Sequence, residues 1–86
     1  MSGPSRSVTL LTRTGCGLCA TALEHLREIC ADYGLTPDTV DVDAAAATDP
    51  ELRAEYGDRL PVVLLDGREH SYFEVDEVRL RAELSR

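Results

Sequence analysis

Residues 8–12 open the patterned part of the chain: Val8, Leu10 and Leu11 stand among threonines in a β-prone run that Thr14-Gly15 ends, which predicts a first strand. From Gly17 the period changes. Cys19, Leu23, Leu26 and Cys30 recur at i, i+4, i+7 and i+11, and Leu18, Ala22 and Ile29 widen that stripe. A helix is therefore predicted from Gly17 to about Tyr33, with Glu24, Arg27 and Glu28 on its wet face and Gly34 as its stop. Thr39 to Asp43 alternates apolar and acidic residues, as a strand with one face in water does. Ala44 to Ala47 leads into Thr48-Asp49-Pro50-Glu51, where Thr48 and Glu51 form a capping box and Pro50 suits a first turn, so a second helix is predicted to about Tyr56, stopping at Gly57.

Pro61 to Leu65 is continuously apolar and reads as a strand buried on both faces. Asp66-Gly67 then signals a hairpin whose return strand covers Arg68 to Phe73. Asp76 caps a last helix to about Leu84, in which Val78 and Ala82 share one face while Leu80 and Leu84 share the other. The order is βαβαββα. Strand, helix, strand demands a parallel pair with a right-handed crossover, and the hairpin adds two strands antiparallel to each other. The expected fold class is α/β, a small mixed four-stranded sheet with helices on both faces.

Length and charge narrow the function. Eighty-six residues make one small domain, expected over 8–86, behind a flexible leader at 1–7 that carries no apolar secretory segment. Sixteen acidic against nine basic side chains give a formal charge of −7, which argues against nucleic acid as a partner because a phosphate backbone requires clustered Lys and Arg. No apolar run approaches the roughly 20 residues of a membrane span. Three cysteines and no signal segment make a structural disulfide framework a poor reading, and they place the chain in a reducing cytoplasm as an expected monomer.

The chemistry concentrates at Cys16-Gly17-Leu18-Cys19, directly at the predicted start of the first helix. A helix N-terminus carries about half a positive charge and unpaired N–H groups, both of which favour a thiolate. An ordinary thiol ionises near pH ~8.5, and such settings bring it to roughly 3.5–7.5. The thiolate is the form that attacks disulfides, so the motif reads as redox chemistry. Zinc needs four ligands, and neither His25 nor His70 has a partner at ligand spacing. Cys30 continues the apolar stripe and reads as a buried small hydrophobe. Tyr72 and Phe73 are expected to pack beneath the last helix, with a substrate groove as the other reading, and Asp41, Asp43, Glu51 and Glu55 are expected only to solvate the surface.

Arg13-Thr14-Gly15-Cys16-Gly17-Leu18-Cys19 after a strand, with Leu60-Pro61 opening a later strand before Asp66-Gly67, resembles the glutaredoxin branch of the thioredoxin superfamily over about Val8 to Leu84. The resemblance implies the thioredoxin-like fold, Cys16 as nucleophile, Cys19 as the resolving thiol, and a cis bond before Pro61, which would leave the backbone of Leu60 to pair with an extended substrate. It also implies a disulfide-containing protein or a small thiol as substrate. Arg13 is expected to add positive potential beside Cys16. The family's motif has Pro-Tyr or Gly-Pro between the cysteines where this chain has Gly17-Leu18, and its glycine pair for glutathione is replaced by the stretch His70 to Asp76. No bound cofactor is expected, and glutathione stays open as a co-substrate. The competing reading is a non-catalytic module of the same fold that carries an iron–sulfur cluster or docks on a partner.

Overall fold

Alternation along two central strands decides where the helices lie. The computed structural model describes residues 6–86, and its elements are β1 (Val8–Thr12), α1 (Gly17–Ala31), β2 (Asp38–Asp41), α2 (Val42–Ala45), α3 (Pro50–Tyr56), β3 (Val62–Leu65), β4 (Arg68–Tyr72) and α4 (Glu77–Leu84). Val8 and Leu10 of β1 and Val63 and Leu65 of β3 point to one side, where they pack with Ala22, Leu26, Ile29 and Cys30 of α1 and Leu80 and Leu84 of α4. Leu11 and Val62 point to the other side and meet Val42, Leu52 and Tyr56 from α2 and α3. Period two in the strands thus builds two cores and sets helices on both faces.

The sheet order is β2-β1-β3-β4, with β1 and β2 parallel and the other neighbours antiparallel. The mixed four-stranded sheet is as expected, and Val62 to Leu65 occupies an inner position, which is why that run is apolar throughout. Gly34, at φ 69°, turns the chain out of α1 while Leu35 N–H donates to Cys30 O at 2.9 Å. In α4 the two possible faces are resolved: Asp76 caps the helix, Leu80 and Leu84 are buried, and Val78 stands in solvent.

Three local expectations are corrected. The second strand ends at Asp41 instead of Asp43, because the Asp41 carboxylate accepts from the N–H groups of Asp43 and Ala44 and starts a short helix there. The run Ala44 to Ala47, expected only to lead into the second helix, is thus partly helical itself, and the expected second helix is α3. It is capped by Asp49, which accepts from Leu52 N–H at 3.3 Å, and not by Thr48. Pro50 explains the shift: with no N–H and a preset φ it occupies the first helical position, which leaves the residue before it as the cap. Of the expected leader, residues 1–5 lie outside the described residues; Arg6 and Ser7 are hydrogen-bonded to Asp66 at the β3–β4 turn.

Candidate functional site

β1 delivers the chain to a turn in which Cys16 N–H donates to Arg13 O at 3.1 Å and Gly15 takes φ 83°. A side chain at that third turn position would be strained, so glycine is required there for backbone reasons. Cys16 follows in extended conformation, φ −86° and ψ 105°, and is the N-cap of α1. Its Sγ accepts from Cys19 N–H at 3.1 Å, so sulfur fills the capping place that oxygen usually takes. Cys16 and Cys19 are joined as a disulfide, with their Cα atoms 5.2 Å apart. The two sulfurs are unequal in access: Cys19 is 3% exposed on the buried stripe, whereas Cys16 is half-buried and lines an open groove with Arg13, Ala20, Leu23 and Thr39.

No acidic residue occupies the first turn of α1, so the positive end of the helix acts on Cys16 without a local counter-charge. The turn itself is anchored from the end of β2 and the start of α2. Thr14 Oγ1 donates to Asp41 Oδ2 at 2.8 Å, and Arg13 donates through Nε and Nη2 to the Asp43 carboxylate at 2.7 and 3.3 Å. Asp41 titrates below the usual carboxylate range, chiefly through the Thr14 hydroxyl and then the N–H of Ala44. Asp43 is likewise held low by the Arg13 hydrogen bond and charge, with a smaller share from Arg53. Arg13 therefore lines the same groove as Cys16, and its charge is largely matched by Asp43. Asp41 and Asp43, read from sequence as solvating residues, prove to be the anchors of the cysteine turn. The available signal was Asp41-Val42-Asp43 running straight into alanines, which is a helix start as much as a strand end.

The structure brings Arg13, Cys16 and Cys19 to one groove and leaves Leu60 and Pro61 out of its lining. The Leu60–Pro61 bond is cis. Leu60 packs against the Leu11–Val42–Val62 core, and among the described residues its N–H and C=O have no backbone partner. Tyr72 and Phe73 do not pack beneath α4 as expected. Both are about half exposed, at 49% and 51%, and stack edge to face with ring centroids 5.2 Å apart. Leu18, counted in the buried stripe from sequence, is 65% exposed, while Cys19 beside it is 3% exposed.

The remaining titratable candidates are elsewhere. Cys30 is fully buried and its thiol is pushed up by desolvation, which removes it from exchange chemistry. His25 meets Glu77 at 2.7 Å and ties α1 to α4. Among the described residues no three His, Cys, Asp or Glu side chains are grouped closely enough to hold a metal ion. No described helix is long and apolar enough to cross a membrane.

Comparison with known proteins agrees with this architecture. The family profile described as Glutaredoxin-like domain (DUF836) matches residues 7–85. The uncharacterized protein Rv0508 of Mycobacterium tuberculosis is 60% identical over 87 residues, an alignment spanning all of this chain and 88% of that one. The solution structure of protein Ne2328 from Nitrosomonas europaea superposes with a TM-score of 0.77 at 22% identity, covering 96% of this chain and 98% of that one. Fasciola hepatica thioredoxin superposes with a TM-score of 0.56 at 24% identity over 93% of this chain and 78% of that one, which identifies the fold as thioredoxin-like.

Proposed function

The chain belongs to the glutaredoxin-like family of the thioredoxin superfamily, and from that premise we propose that it is a thiol–disulfide oxidoreductase with Cys16 as nucleophile and Cys19 as resolving thiol. The observation that carries the reading is the capping geometry of Cys16: a half-buried residue lining an open groove directly before α1, its sulfur 3.1 Å from the Cys19 N–H, with its disulfide partner buried one turn further on. Once the pair is reduced by an external thiol, the same N–H and the helix field stabilise a Cys16 thiolate. That thiolate attacks one sulfur of a substrate disulfide, forms a mixed disulfide and expels the other substrate sulfur as thiolate. Cys19, as thiolate, then attacks the Cys16 sulfur, closes the intramolecular disulfide and releases the second substrate thiolate. The substrate gains two electrons and the protein dithiol loses two.

Leu60, with its unpaired backbone groups, is the proposed strand edge for an extended substrate, and Pro61 is the residue that follows it into β3. The substrate is a disulfide-containing protein or a small mixed disulfide, handled by a monomer in the reducing cytoplasm. Cys19→Ser is expected to accumulate mixed disulfides with substrate thiols, and Cys16→Ser to abolish exchange, both read by mass spectrometry after incubation with a disulfide donor. Titration of the reduced protein by thiolate absorbance should place Cys16 below the ordinary thiol value of about 8.5. A Cys16 that titrates as an ordinary thiol, or Cys16→Ser protein that exchanges as fast as the native chain, would overturn the proposal.

A further inference from the structure

A second groove, of about 290 Å³, opens on the side of the motif where Leu18 projects. Its walls are Leu18 and Ala22 from α1 and Phe73 and Val75 from the β4–α4 connection, and Glu74 and His25 stand at its rim. At the share of one water in the liquid, the volume equals about ten waters, room for one large side chain. Two features set it apart from an incidental surface dip. Leu18 and Phe73 are large apolar side chains left 65% and 51% exposed, and Leu18 is the only exposed leucine among the described residues. Phe73 also holds φ 68°, a backbone conformation that aromatic residues rarely adopt, and is kept there by N–H donation to Pro61 O at 2.8 Å and to Arg59 O at 3.3 Å. The fold thus maintains an unfavourable backbone state that presents a ring to solvent beside the redox motif, a pattern characteristic of binding sites.

The charge around the groove selects among occupants. Glu74 has no ion-pair partner among the described residues, the His25 imidazole already faces Glu77, and the whole chain carries −7. Glutathione carries two carboxylates against one ammonium and so brings net negative charge to Glu74 and to a chain of −7, whereas a Lys or Arg side chain brings positive charge alone. We infer that this groove seats a bulky apolar side chain of a protein substrate next to the cysteine whose sulfur Cys16 attacks, with a basic residue of that substrate facing Glu74. The inference rests on the exchange chemistry proposed above and names its substrate class.

The test uses the reduced full-length chain and three disulfides of one leaving group: a Leu-Lys-Cys peptide, a Ser-Glu-Cys peptide and glutathione, each activated as the mixed disulfide with thionitrobenzoate. Rates of thionitrobenzoate release are normalised to the rate with hydroxyethyl disulfide. The Leu-Lys-Cys peptide should react at least about tenfold faster than the other two, the ratio that burying one apolar side chain supports. Leu18→Ser and Phe73→Asn should each reduce that ratio toward one, and Asn suits the φ of position 73 so the fold is kept. Glu74→Lys should shift preference toward the Ser-Glu-Cys peptide. Equal normalised rates for all three substrates, or a native preference that survives both apolar variants, would overturn the groove. No reaction with any disulfide would instead overturn the exchange function itself. Concentration-dependent dimerisation that Phe73→Asn abolishes would make a second copy the occupant and overturn the substrate assignment.

Discussion

Replacing Gly17 by proline should stabilise the protein, although it alters the residue directly after Cys16. Gly17 is the first residue of α1, a place where the backbone N–H has no helical partner and where the fixed φ of proline already matches the helix. A Cβ built on Gly17 meets nothing within 4 Å. The preceding Cys16, at φ −86° and ψ 105°, is already in the extended region that a following proline demands. Nothing in the folded state is lost, while the unfolded chain loses conformations, which is worth about 0.4–1 kcal/mol. At roughly 4–8 °C per kcal/mol for a domain of this size, the Tm should rise by roughly 2–8 °C. The assay is thermal unfolding of the oxidised protein followed by circular dichroism. Gly15→Ala provides the contrast: its Cβ also has open space, but φ 83° costs an L-residue about 1–2 kcal/mol, so the Tm should fall. A fall with Gly17→Pro, or shifts of the same sign in both variants, would refute the description of the cysteine turn.

Leu26→Ala empties the centre of the larger core, where Leu26 is 0% exposed, and should cost about 2–5 kcal/mol by denaturant titration, out of the roughly 4–13 kcal/mol typical of this length. A loss under about 1 kcal/mol would mean that α1 is not packed as described. His70 is buried with neither ring nitrogen hydrogen-bonded, and desolvation together with the Arg79 charge holds it below its ordinary 6.5. The unfolded chain then binds more protons than the folded one as pH drops below about 6.5, so stability should be flat above that point and decline below it until the folded value is reached. His70→Leu should flatten the decline, as measured by Tm across pH 5–8, and an undiminished slope in the variant would assign the effect to other groups. Cys30→Ala should leave the rates of the proposed thiol–disulfide exchange within about twofold of the native protein, because its thiol is buried and its pKa pushed up by desolvation; a larger loss would give Cys30 a redox role.

Local signals were legible where one residue or one period dominated. Gly15, Gly34 and Asp66-Gly67 were readable as turns because those positions take positive φ. The hidden face of α4 was not, since Leu80 with Leu84 and Val78 with Ala82 offer two apolar pairs, and only the placement of α4 over β1 and β3 decides between them. The same holds for Leu18 and Phe73. Each is apolar and near an apolar pattern, and burial is a property of what lies opposite, which a one-dimensional pattern does not contain.

The sequence by itself determined the cysteine pair and its place on the chain: two thiols at the start of a helix after a strand, in a small acidic domain, with a proline leading an inner strand. These follow from local rules of capping, periodicity and turn formation, which act over a few residues. Tertiary structure decided what surrounds the thiols. It turned Asp41 and Asp43 from surface carboxylates into anchors of Thr14 and Arg13, set an apolar groove between Leu18 and Phe73, and left Glu74 at its rim. Those pairs are 27, 30 and 55 residues apart in the chain, and only the closing of the sheet and the packing of α1 and α4 on it bring them together.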